Sequence, residues 1–152
     1  MSYANEYMDA DPSAQLAAEA TELRIATFRL ARRLRAQRAV DTMSDGQYAV
    51  LATLTVHGPL ALGELAEREH VSAPSMNRTV NCLEGAGYIT RTPHADDRRK
   101  VTIALTDTGR AVVAETARRR DSWLAASLGE LSDQQRAALA AAVAVMQEVA
   151  AR

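Results

Sequence analysis

ITRTPHADDRRKVTIALTDTG, residues Ile89 to Gly109, reads as two short strands joined by a charged turn. Tyr88–Thr92 and Val101–Leu105 are rich in aromatic, β-branched and apolar residues, the composition that a half-buried pleated surface favours. Between them, Pro93–Lys100 holds a proline and the charges of Asp96, Asp97, Arg98, Arg99 and Lys100, and is expected to leave the strands as a solvated tip. Two adjacent arginines on a protruding loop suit a narrow groove, because the guanidinium offers fixed planar donors and is less strongly hydrated than an ammonium. Asp97, two residues before Arg99, can accept from its guanidinium and hold it extended. A charged loop taken alone is ordinary solvated surface. What gives this one meaning is the segment before it.

That segment, Ala61–Ala86, has the pattern of a helix-turn-helix. Leu62, Leu65 and Ala66 give a first helix its apolar face, the Glu69, His70, Val71 corner breaks the period, and Ser72 can cap the second helix. Pro74 then falls in the first turn, where its missing N–H costs little. At 3.6 residues per turn, Met76, Val80 and Leu83 share one face, while Pro74, Asn77, Arg78 and Asn81 gather on the other. The first set packs. The second, with Ser72 and Ser75 at the helix start, is the candidate DNA-binding set, since Asn can pair bidentately with adenine and Arg with guanine in the major groove. The competing reading is a plain amphipathic surface helix. Gly87 is expected to supply the left-handed residue that ends this helix. A helix-turn-helix followed by a two-stranded β wing is a winged helix, a mainly α (α+β) fold, and it implies double-stranded DNA as partner.

The GPLALGELAEREHVSAPSMNRTVNCLEGAGYI run from Gly58 to Ile89, with DDRRKVTIALTDTG from Asp96 to Gly109, resembles the MarR family of bacterial transcriptional regulators, and the likeness extends from about Leu16 to the C-terminus. In that family the wing carries an Asp, any residue, Arg motif a fixed distance before a Leu-Thr pair, matched here by Asp97, Arg99, Leu105 and Thr106. The resemblance implies that Arg99 enters the minor groove, that Asp97 orients it, and that Asn77 and Arg78 contact DNA; Arg98, beside Arg99 on the loop, joins the candidate DNA-binding set from its position alone. Two positions depart from the family pattern. Ala61 stands where relatives often have a hydroxyl cap, so that helix start needs another partner. His70 stands where glycine is frequent, and a turn role fits it because His tolerates positive φ better than most residues.

Composition suits such a chain. Its 152 residues, 47% hydrophobic and 24% charged, can bury one real core but not two large ones. A single cysteine excludes an intramolecular disulfide and fits a reducing compartment. No charged-then-apolar leader opens the sequence, and the longest apolar run, Ala137–Met146, is too short to span a bilayer, so a cytoplasmic protein without membrane contact is expected. The net charge of -1 hides an asymmetry. Residues 1–22 hold five acids and no Lys or Arg, which leaves 18 basic and 14 acidic residues, a net of +4, on the other 130. Phosphate binding depends on local charge of this kind rather than on the total.

The remaining residues read as helices. Leu16, Ala20, Leu23, Thr27, Leu30 and Leu34 make an apolar seam with Phe28 off it. Ser44 with Gln47 and Ser132 with Gln135 are capping-box candidates, the first opening a helix through about Val56. Thr106 is expected to cap a helix through about Ala126, with Val112, Val113, Trp123 and Leu124 available for packing. Leu139, Val143, Met146 and Ala150 form a stripe on the last helix. The expected organisation is one integrated domain. It has a flexible acidic N-terminus (1–12), an N-terminal dimerisation helix (13–40), the winged helix-turn-helix (41–106) and C-terminal dimerisation helices (107–152). Uncovered apolar stripes mark an interface, and the resemblance likewise implies a twofold homodimer reading a pseudo-palindrome with half-sites ~10 bp apart.

What such a regulator senses is less legible. The resemblance implies a small lipophilic or phenolic effector held between the outer helices and the winged module, for which Arg24, Phe28, Tyr48 and His57 are candidate pocket residues, each with an ordinary core or surface role as its alternative. An effector would release DNA only by preferring the conformation unfit to bind it. Cys82 offers a redox-responsive alternative, but its one basic neighbour on the helix is Arg78, a turn back, and a packed or inert thiol is the competing reading. None of His57, His70 and His94 has another His or Cys at ligand spacing, so no metal, and no other cofactor, is expected. No glycine-rich phosphate loop, nucleophile elbow or His-Glu metal helix is present, so no catalytic residue is assigned. The expectation is a DNA-binding regulator, a repressor by resemblance. The alternative is a dimeric winged-helix interaction protein without sequence-specific DNA binding.

Overall fold

The computed structural model describes residues 11–93 and 101–152. Along the chain run α1 (Pro12–Ala36), α2 (Asp45–His57), β1 (Leu60–Ala61), α3 (Leu62–Arg68), α4 (Ala73–Gly85), β2 (Ile89–Pro93), β3 (Val101–Leu105), α5 (Asp107–Gly129) and α6 (Asp133–Ala150). The wing-tip residues Asp97, Arg98 and Arg99, and the acidic terminus apart from Asp11 and Pro12, lie outside the described residues. Pro12, expected in that terminus, is the first residue of α1.

Five of the described helices begin at a side-chain oxygen that takes up one of their free N–H groups. Asp11 accepts from Ser13, Ser72 from Ser75 and Thr106 from Gly109. Ser44 with Gln47 and Ser132 with Gln135 form reciprocal boxes. α3 is the exception. Ala61 has no oxygen to offer, and instead the Glu64 carboxylate reaches back to the Ala61 N–H at 2.8 Å, half of a capping box.

The corners of the helix-turn-helix share one pattern. After α3, His70 turns left-handed at φ 52, its N–H donating to Glu67 and that of Val71 to Ala66. After α4, Gly87 does the same at φ 76, with its N–H on Glu84 and that of Tyr88 on Leu83. Both are Schellman closures. Gly87 fills the left-handed position without steric cost, whereas His70 carries a Cβ there.

The sheet has the order β1-β3-β2, all antiparallel. The two wing strands expected from the sequence are joined by β1, whose Leu60 and Ala61 pair with Ile103 and Thr102. Pro93 does not lie in the turn as expected. It is the last residue of β2, paired with Val101, and β2 is an edge strand, where a missing N–H is tolerated.

The core lies within the winged helix. Met43, Val50, Leu51, Leu54, Leu60, Leu65, Ala66, Met76, Val80, Leu83, Ile89, Ile103 and Leu105 form one buried cluster, with Val112 and Val113 of α5 packed against it. Thr106 ties α5 to the wing: its N–H donates to the Tyr88 carbonyl and its hydroxyl to the Gly87 carbonyl. One turn on, α5 passes so close to Tyr88 that a Cβ at Gly109 would overlap the Tyr88 carbonyl oxygen. Farther along, the buried Thr116 hydroxyl accepts from the Ala39 N–H at 3.1 Å, and Arg119 donates to the Arg38 carbonyl. Glu115 accepts from both Arg118 and Arg119, and these bonds, that from Arg118 first, hold its carboxyl down to about 2.

The chain divides into two units, one holding α1 and the other residues 37–152. α1 ends at Ala36, four residues before the expected boundary. Neither α1 nor α6 carries a buried residue.

Candidate nucleic-acid interface

α4 divides its residues as the 3.6-residue period requires. Met76, Val80 and Leu83 are buried, while Ser72, Pro74, Asn77, Arg78 and Asn81 are exposed and Ser75 is half-buried. The capping oxygen of Ser72 is spent on the Ser75 N–H. The expected DNA-binding residues therefore share one polar surface at the start and along the outer side of α4. Asp97, Arg98 and Arg99, expected at the wing tip, lie outside the described residues.

A residue that sequence reading passed over sits beside them. Arg91 comes two residues after Ile89 along β2, and period-two alternation turns both toward the same side of the sheet. Ile89 is buried and Arg91 half-buried. The Arg91 Nη2 donates to Asn77 Oδ1 at 3.2 Å and to Asn81 Oδ1 at 2.7 Å. Its Nη1 lies 3.5 Å from the Glu84 carboxylate. Asn77, Asn81 and Glu84 stand at i, i+4 and i+7, a single stripe of α4, so one guanidinium spans two helical turns. The sequence signal was the Ile-x-Arg spacing at the start of the wing.

Of the four candidate effector residues, Arg24 and Phe28 are on α1 and Tyr48 and His57 on α2. Phe28 is exposed on α1, as is Arg24. Tyr48 lies in the first turn of α2 with the Arg120 guanidinium 4.3 Å over its ring. His57 ends α2, its Nε2 3.4 Å from Arg68. Nine residues of helix hold Tyr48 and His57 about 13 Å apart along the axis. Cys82 is exposed and borders a cavity of about 120 Å³ that Thr42, Met43, Gln47, Ala86 and Tyr88 also line. Among the described residues, no three His, Cys, Asp or Glu side chains converge to hold a metal, and no helix is long and apolar enough to cross a membrane.

Residues 43–101 match the model of the MarR family. The chain is 35% identical over 127 residues to an uncharacterized HTH-type transcriptional regulator of Mycobacterium bovis, covering 84% of this chain and 89% of that one. It is 32% identical over 93 residues to the HTH-type transcriptional repressor MdtR of Bacillus subtilis, covering 61% and 60% of the two chains. Among solved structures it is similar to a transcriptional regulator of Pseudomonas aeruginosa, at 30% identity and a TM-score of 0.80 over 94% of this chain and 99% of that one. Fold, helix-turn-helix geometry and relatives agree, and the chain belongs to the MarR family of helix-turn-helix transcriptional regulators.

Proposed function

We propose that this regulator is a cytoplasmic homodimer that represses transcription by reading a pseudo-palindromic operator. The observation that carries this reading is the polar outer stripe of α4, with Asn77, Arg78 and Asn81 exposed opposite a fully buried Met76, Val80 and Leu83. Such a helix offers amide and guanidinium groups to base edges in the major groove while its other side stays fixed on the core. Ser72, Pro74 and Ser75 sit at its start, the end that approaches the groove in helix-turn-helix proteins. On this reading Arg98 and Arg99 serve the minor groove, with Asp97 orienting Arg99. Repression is supported by the similar Bacillus subtilis protein, a transcriptional repressor.

Dimerisation is supported by two helices that leave large apolar side chains in water. On α1, Leu16, Leu23 and Phe28 are more than half exposed, and on α6 Leu139, Val143, Val145 and Val149 are at least half exposed. Each such side chain contributes about 1.5–3 kcal/mol when fully removed from water. A twofold partner presenting the same stripes would cover them. A small lipophilic or phenolic effector, taken over from the family resemblance, would act by favouring a dimer whose two reading helices are wrongly spaced.

Selection of bound duplexes from random DNA tests the proposal, together with titration of the best site across salt concentrations. An enriched inverted repeat with a steep negative salt slope is the expected result. Weak binding without enrichment would point to an interaction protein that has lost sequence reading.

A further inference from the structure

We propose that Arg91 is a positioning residue of the reading surface, which turns the Asn77 and Asn81 carboxamides so that their oxygens face the wing and their NH₂ groups are left for DNA. The proposal rests on the DNA-reading role of α4 set out above. An arginine on the Ile89 side of a strand is out of place unless polar groups meet it, because that side runs into the core. Here Asn77, Asn81 and Glu84 meet it. A guanidinium has donors only, so each carboxamide can satisfy it solely through Oδ1, and the planar amide then carries its NH₂ on the other edge. The orientation is imposed by chemistry, since the flipped amide would set donor against donor.

This arrangement changes what the asparagines read. A free Asn recognises adenine by accepting from N6 and donating to N7 at once. With Oδ1 engaged by Arg91, the same side chain is biased toward donating, and acceptor edges such as guanine O6 and N7 or thymine O4 become the favoured partners. Arg91 also neutralises Glu84, whose side chain is 41% exposed and would otherwise set a carboxylate on the reading helix. The wing strand thus dictates the chemistry of the recognition helix before DNA arrives.

The test compares wild type, Arg91→Lys, Arg91→Ala and Arg91→Ala/Glu84→Gln in the full chain, with thermal melting to establish that each folds. The double variant separates the loss of the fork from the uncovering of Glu84. Each protein is run through a duplex library randomised under the reading helix, and non-specific affinity is measured at several salt concentrations. The expected result is that Arg91→Ala/Glu84→Gln loses about tenfold of its discrimination at the base pairs that Asn77→Ala and Asn81→Ala also affect, with preference moving toward adenine. Non-specific affinity and its salt slope stay unchanged. Arg91→Lys keeps the charge without the planar fork and does not restore discrimination. In the free protein, the side-chain amide resonances of Asn77 and Asn81 shift in every Arg91 variant.

Equal losses on all sequences, with a salt slope shallower by about one contact, would make Arg91 a phosphate ligand and overturn the proposal. Unaltered discrimination, or full rescue by lysine, would overturn it as well. A wild type without sequence preference would instead remove the DNA-reading role itself, while static Asn77 and Asn81 amide resonances would show independently that Arg91 does not orient them.

Discussion

The winged helix between Met43 and Leu105 contains every buried large apolar side chain described, whereas α1 and α6, with 25 and 18 residues, contain none. The two regions are written with similar residues. Leu51, Leu65 and Ile103 are wholly enclosed, yet Leu16, Leu23, Leu139 and Val143 remain half exposed or more. The difference lies in what covers them. In the winged helix three helices and a sheet close on one another, so one chain completes the core. The stripes of α1 and α6 leave these side chains open to water, and apolar residues of that kind serve stability only when another surface covers them. On the proposed homodimer, one region is finished at folding and the other at assembly.

That contrast sets the scale of what substitutions should do. The largest effect is expected at Gly109, where a Cβ would collide with the backbone of Tyr88 rather than with a yielding side chain. Gly109→Ala should cost about 3 kcal/mol in denaturant unfolding; a loss below about 1 kcal/mol would mean that α5 is not seated as described. Next is Val143→Asp on α6, which should leave helix content intact but shift sedimentation from dimer to monomer at micromolar concentration. A dimer that survives it would place the interface elsewhere. Thr116→Val removes the acceptor for the Ala39 N–H while keeping the side chain's shape, and should cost about 1–3 kcal/mol. The smallest effect, and the one of opposite sign, belongs to His70→Gly. Relieving a left-handed non-glycine residue should raise stability by up to about 1 kcal/mol, seen as a higher melting temperature.

The sequence made the local chemistry of this fold readable. Ser44 with Gln47, Ser132 with Gln135, Thr106 and Gly87 are signals that act within four residues, and each does in the structure what its spacing implies. The α5 helix runs three residues past its expected end, to Gly129, the next glycine after Gly109. β1 was not readable, because Leu60 and Ala61 have no pattern of their own and become a strand only by pairing with residues more than forty positions away. Arg91 was missed for a related reason. A lone arginine beside threonines looks solvated until register shows which side of β2 it shares with Ile89. The polar stripe of α4 was legible from periodicity alone, but its internal bonds were not. The roles of Asp97 and Arg99 rest on loop chemistry and family resemblance alone, their residues lying outside those described.

The most direct measurement is the affinity of the purified chain for its selected operator against the same operator with about 5 bp, half a helical turn, inserted between its half-sites. A dimer carrying two α4 helices on fixed spacing should lose at least about tenfold in affinity on the lengthened site, down to the level of a single half-site, because the second groove now faces away. Equal affinity for both duplexes would mean that each winged helix binds alone, and would contradict assembly through the outer helices as the basis of operator reading.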